Sequence, residues 1–145
     1  MAKGAVSVVE VLNQIVEHEL AGAVRYTQYS LMIFGHARIP IISWMQKQAL
    51  EALAHAAQAG EEVTSQGGKV SLGIGKLVGS HHAAVDEILG ELVVHERTGI
   101  ELYERLLQLV AGKNTSLEEY ARAMIRAEEL HVAEILKMLK KRGDA

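Results

Sequence analysis

The chain has 145 residues, 49% of them hydrophobic and 23% charged, with a formal net charge of -3. That size and balance suit one soluble globular domain with a real core, and they exclude a disordered chain. The absence of cysteine excludes disulfides, zinc–thiolate and iron–sulfur sites and thiol catalysis, and the charge gives no reason to expect nucleic acid or an anionic membrane as partner.

The opening segment, MAKGAVSVVEVLNQIVEHEL, has an apolar run that is short and broken by Glu10. It is neither a secretory signal nor a membrane span, and nothing later approaches the ~20 apolar residues that a span requires. A cytoplasmic location is the expectation. With one Pro, one Phe and long stretches of Ala, Leu, Glu and Lys, the composition favours helix throughout.

Apolar residues recur at steps of three and four from Val8 to Ile33, through Leu12, Ile15, Val16, Tyr26 and Tyr29, which predicts one long helix stopping near Gly35. Pro40 then suits the first position of a second helix, where a missing N–H costs nothing, and the pattern runs on to about Ser65. The segment QGGKVSLGIGKLVGS, from Gln66 to Ser80, is too rich in glycine for helix. A loop of that length inside a compact domain reads as a crossover that lets helices two and three run parallel. The third helix is expected over His81 to Val110 and the fourth over Leu117 to Lys140, with Asn114, Thr115 or Ser116 as its cap and the basic run Lys140-Lys141-Arg142 against its negative end. The expected fold is all-α: a four-helix bundle with one long crossover.

Each apolar stripe meets a polar residue near its middle. On helix one, Leu12 and Ile15 lead to Glu19 before Tyr26; on helix three, Leu89 and Leu92 lead to Glu96 before Gly99 and Tyr103. On helix four, Met124 leads to Glu128 and His131 before Ile135 and Met138; on helix two, Met45 and Gln48 lead to Ala52 and His55 before Ala59. Three carboxylates and two imidazoles therefore point inward. A buried unpaired carboxylate costs several kcal/mol, and no Lys or Arg lies on these stripes to offset it. Protons or metal ions remain, and a mixed Glu/His donor set suits iron, manganese or zinc. Glu128 and His131, three residues apart, stand within about 60° of each other on one helix face and can grip one ion.

Taken singly, these residues have plain structural readings: an inward Glu can be a misjudged register, and one E-x-x-H arises by chance. Glu17, Glu62 and Glu129 read as solvated face, His18 and His95 as surface or supporting residues, His81 and His82 as solvent-exposed, and Met32, Met45, Met124 and Met138 as core filling. Five inward donors at matched depth on four helices outweigh those readings.

These residues resemble the ferritin-like di-iron proteins, and bacterioferritin most closely. The resemblance runs from Leu12-Asn13 to the end of the fourth helix. It rests on Glu19-Leu20 with Tyr26 seven residues on, Glu96 followed by Gly99, Glu128-Glu129-x-His131, and the glycine-rich crossover in the family's place. It implies oxidation of Fe(II) by oxygen or peroxide for iron storage or detoxification. By the same resemblance, Glu19 and His55 hold one iron and Glu96 and His131 the other, with Glu128 bridging.

Three departures qualify what the resemblance implies. The family's second bridging Glu would stand at Ala52. Glu51 is the one neighbour that could replace it, but it lies about 100° from the required direction and needs a long rotamer or a local distortion of the helix. Without it, five ligands serve two metals, and occupancy by one iron or by zinc is the alternative. The family's haem-binding Met would stand at Leu53, so no haem is expected. The chain stops fourteen residues after His131, without room for a fifth helix, which makes a large cage less secure than a homodimer through helices one and two. Miniature ferritins match less well, because Asp86 and Asp144 are the only aspartates and neither is in place. The leading expectation is a haem-free ferroxidase-type oxidoreductase. Its alternatives are a metal-binding subunit without catalysis and a shell-forming bundle whose buried acids stay protonated.

Overall fold

The structure is a computed structural model that describes residues 6–141, so Arg142 and Asp144 lie outside the described residues. It contains four helices: α1 (Val8–Ser30), α2 (Arg38–Ser65), α3 (Val85–Val110) and α4 (Thr115–Leu139). Among the described residues there is no strand, and no helix is long and apolar enough to cross a membrane. The chain divides into two compact units, one ending at His81 and one beginning at His82, each built on a helix pair.

In the first unit α1 and α2 run antiparallel: Tyr26 packs edge-on to Trp44 at a ring separation of 5.9 Å, while Glu19, earlier on α1, meets His55, later on α2. Ser7 caps α1 by accepting from the Glu10 N–H at 3.1 Å, the spacing of a capping box. The helix ends three residues before the expected Ile33. Leu31 and Met32 donate back to Gln28 and Tyr29 in tight turns, and Gly35 takes a φ of 102° that other residues rarely adopt. Ile33 is buried all the same, so its periodicity reports packing and not helix. α2 starts at Arg38, which puts Pro40 third in the helix instead of first. That place is equally free of cost, because N–H groups of the first turn have no intrahelical acceptor. The buried stripe of α2 is Met45, Gln48, Ala52, Ala56, Ala59 and Val63.

The glycine-rich segment is laid along α1 in the same direction as the helix. Asn13 donates to the Lys69 carbonyl (2.9 Å) and accepts from the Ser71 N–H (2.8 Å). The Glu17 carboxylate accepts from the Ser71 hydroxyl at 2.8 Å, and the Glu17 carbonyl accepts from the Gly75 N–H at 2.9 Å. Arg25 then donates to the carbonyls of Lys76 (2.7 Å) and Leu77 (3.2 Å). A Cβ on residue 75 would lie 3.1 Å from the Glu17 carbonyl oxygen, so this approach depends on glycine. Glu17 is therefore a half-buried anchor, and the expectation of a solvated face is corrected.

In the second unit α3 and α4 are also antiparallel, with Tyr103 edge-on to Tyr120 at 6.1 Å. Leu92 and Leu106 on α3, and Leu117, Ala121 and Ile135 on α4, are buried. Asn114 caps α4 by accepting from the Leu117 N–H at 3.1 Å. α3 begins four residues later than His81. His82 lies before it, half-buried and not exposed as expected, with Nε2 at 2.9 Å from Glu91 and Nδ1 at 3.6 Å from Glu87.

Candidate metal centre

Glu19 arrives on the buried side of α1 by the same three- and four-residue steps that bury Leu12, Ile15 and Tyr26, and it is only 5% exposed. From α2, His55 comes alongside: its Nδ1 stands 3.5 Å from Glu19 Oε2. The first unit thus contributes one buried carboxylate and one partly covered imidazole.

The second unit contributes three donors. Glu96 on α3 and Glu128 on α4 are 7% and 3% exposed, and His131 sits one turn beyond Glu128. His131 Nδ1 is 3.3 Å from Glu128 Oε2 and 4.0 Å from Glu96 Oε2, and one donor atom from each of the three residues lies within 4.8 Å of the others. Two donors on one ion at about 2.1 Å cannot stand more than about 4.2 Å apart, so the cluster needs little contraction to hold a metal. Glu128 and His131 approach each other as the E-x-x-H spacing requires.

The donor chemistry fits a divalent first-row ion. Carboxylates and imidazoles together suit iron, manganese or zinc, and carboxylates this buried need compensating positive charge. All five residues singled out on the stripes are accordingly brought into donor clusters, Glu19 with His55 and Glu96 with Glu128 and His131.

Among the supporting residues the picture changes in places. His95, expected at the surface or in support, is buried beside Glu96, whereas His18 is half-buried and Glu129 exposed. Ala52 is buried on the stripe of His55 and presents only a methyl group. Glu51 is half-buried, and Leu53 is exposed. The His82–Glu91 contact and the Asn13 and Glu17 anchors had no signal in the periodicity, because each depends on a loop conformation.

The ferritin-like domain family matches residues 9–142. No curated protein matches the chain. Solved structures that share the fold include a ferritin-like, diiron-carboxylate protein from Bacillus anthracis str. Ames, at 22% identity and a TM-score of 0.85 over 92% of this chain and 95% of that one. A dodecameric thioferritin from Bacteroides fragilis, described as bacterioferritin-related, has 19% identity and a TM-score of 0.84 over 91% and 83%. Dps from Listeria monocytogenes has 15% identity and a TM-score of 0.86 over 94% and 95%.

Proposed function

The chain belongs to the ferritin-like family, a four-helix all-α fold, and from that premise we propose that it is a haem-free, bacterioferritin-like protein that binds iron and oxidises Fe(II) for storage or detoxification. Glu19 and His55 bind one iron, Glu96 and His131 a second, and Glu128 bridges them. The protein works as a single domain in the cytoplasm, as a homo-oligomer of at least two subunits and, in its larger form, a cage.

One observation carries this reading. The first unit holds the buried Glu19 beside His55, and the second holds the buried Glu96 and Glu128 with His131, donor atoms of these three within 4.8 Å of one another and close to the separations one ion needs. Iron is the substrate: two Fe(II) ions lose one electron each, and hydrogen peroxide takes both electrons with two protons to give two waters. With oxygen as oxidant, the same two electrons and two protons give hydrogen peroxide. The residues bind and orient the ions, and their burial restricts water around them. Fe(II) added anaerobically to the purified protein should bind at up to two per subunit and oxidise on admission of oxygen or peroxide. Glu128→Ala should lose both properties, and oxidation at the rate of free Fe(II) would end the proposal.

Ala52 supports a second reading, a metal-binding subunit without catalysis. Helix two then lacks a bridging carboxylate, and one iron or zinc is held without turnover. Tight binding of a single zinc with no oxidation of Fe(II) would favour it.

A further inference from the structure

Charge is sorted along the first helix pair. Residues 8–19 and 51–65 hold Glu10, Glu17, Glu19, Glu51, Glu61 and Glu62 and no Lys or Arg, whereas residues 20–50 hold Arg25, Arg38 and Lys47 and no acid. Antiparallel packing sets the two acidic stretches side by side, where Glu19 meets His55, and the basic stretches at the other end, where Tyr26 meets Trp44. Helix α2 gains nothing by itself from this order. Arg38 opens it and Glu61 and Glu62 lie near its close, so each sign stands at the end whose dipole it opposes.

The exposed face of α2 carries both signs, with apolar residues along it. At about 100° per residue, Ile39, Leu50, Leu53, Ala57 and Glu61 fall within about 80° of one another, and Lys47 lies about 40° from Glu61. Ile39, Leu50 and Leu53 are 75%, 70% and 51% exposed, and Lys47 and Glu61 face solvent. In the same unit a cavity of about 400 Å³ is bordered by Val16, Leu53, Ala57, Gly60, Glu61 and Val70. The small residues Ala57 and Gly60 leave it open, and Glu61 gives it one charged border.

The spacing of these residues is self-complementary. Lys47 and Glu61 each stand seven residues from Ala54, about 10.5 Å along the helix, and Leu50 and Ala57 are centred on Leu53 and Ala54. A second α2 laid antiparallel, with a two-fold axis at that point, brings Lys47 level with the partner's Glu61 and Leu50 over the partner's Ala57.

We propose that this face takes a second copy of the chain in that register, with Leu50 of each copy seated in the other's cavity and Lys47 of each facing the other's Glu61. This rests on the homo-oligomer reading above and deepens it, because it fixes how the two copies meet. The apolar centre supplies the affinity, and the charges at either end set the direction. A parallel pair would set acid on acid and base on base, which costs more than it gains.

The test measures the dimer dissociation constant of the full chain by sedimentation and light scattering, with circular dichroism to confirm unchanged helix. Lys47→Glu and Glu61→Lys each create two like-charge pairs across the axis and should each weaken the dimer about tenfold, whereas the double variant should return to within about threefold of the parent. Gly60→Leu fills the cavity and should abolish the dimer. A Cβ at 60 would lie 3.7 Å from Val70, an ordinary contact, so that variant folds. The chain has no cysteine, so Leu53→Cys supplies a single thiol, and a short bismaleimide should join two copies through it but not through Val94→Cys. If the parent is oligomeric and the single reversals match it, or the double variant fails to recover, the inference is overturned with the homo-oligomer reading intact. If the parent is monomeric at every concentration, that reading falls and takes this inference with it, and co-sedimentation with phosphatidylglycerol vesicles would then assign the face to a membrane.

Discussion

Glu19 Oε2 and His55 Nδ1 stand 3.5 Å apart although 36 positions separate them in the chain. The antiparallel run of α1 against α2 brings them together, and both are largely covered. A carboxylate in that setting depends on its neighbour. Removing the imidazole should cost more than the contact itself contributes, because a buried charge loses compensation.

His55→Ala should therefore lower the stability of the metal-free protein by about 2–4 kcal/mol near neutral pH. Glu19→Gln, which removes the charge together with its need, should cost less, and the double variant should be more stable than His55→Ala alone. Urea unfolding of the four proteins checks this cycle, and strict additivity would show that the pair is not coupled.

Metal should stabilise the folded chain by mass action. Zinc or Co(II) at about a hundredfold excess over its dissociation constant adds about 2.7 kcal/mol, and a chelator should remove it. Thermal unfolding with and without chelator should differ for the parent and coincide for His131→Ala and Glu128→Ala. A parent protein indifferent to chelator would point to protonated acids instead.

The crossover should be sensitive to its anchors. Asn13→Ala removes two hydrogen bonds to the loop, at Lys69 and Ser71, and should cost about 1–2 kcal/mol in total. Gly75→Ala places a Cβ 3.1 Å from the Glu17 carbonyl oxygen and should lift the loop locally. Hydrogen exchange read at residues 69–77 should quicken in both variants while exchange within α3 and α4 is unaltered.

Assembly should depend on the exposed apolar residues of α2. Leu50 and Leu53 both face solvent in the single chain, and a contact between subunits through helices one and two would cover them. Leu50→Glu with Leu53→Glu should shift the protein toward the monomer in light scattering, with its helical content unchanged. An unaltered mass would move the contact elsewhere.

The donors were legible because the apolar period of a helix is strict: a Glu at position 19, 96 or 128 could not lie on its stripe without being buried. The same rule misplaced element ends. Ile33 keeps the period although its backbone has left the helix, and the residues from His81 to Ala84 precede α3 although their pattern allowed a helix there. Periodicity reports which side chains are covered, and conformation only by inference. Glu17 and His82 were misread for another reason. Their partners, Ser71 and Glu91, are set by how a loop settles, and no spacing within one helix encodes that.

The loop that follows α2 has a consequence for how the protein is made. Every one of these hydrogen bonds between residues 69–77 and α1 joins the loop to a part of the chain synthesised earlier. Both partners of each tether are therefore present in the growing chain before residue 82 is added. The departure point of the later half is thus fixed in advance, and a defect in the tethers would be felt first as slow or faulty assembly rather than as a damaged metal ligand.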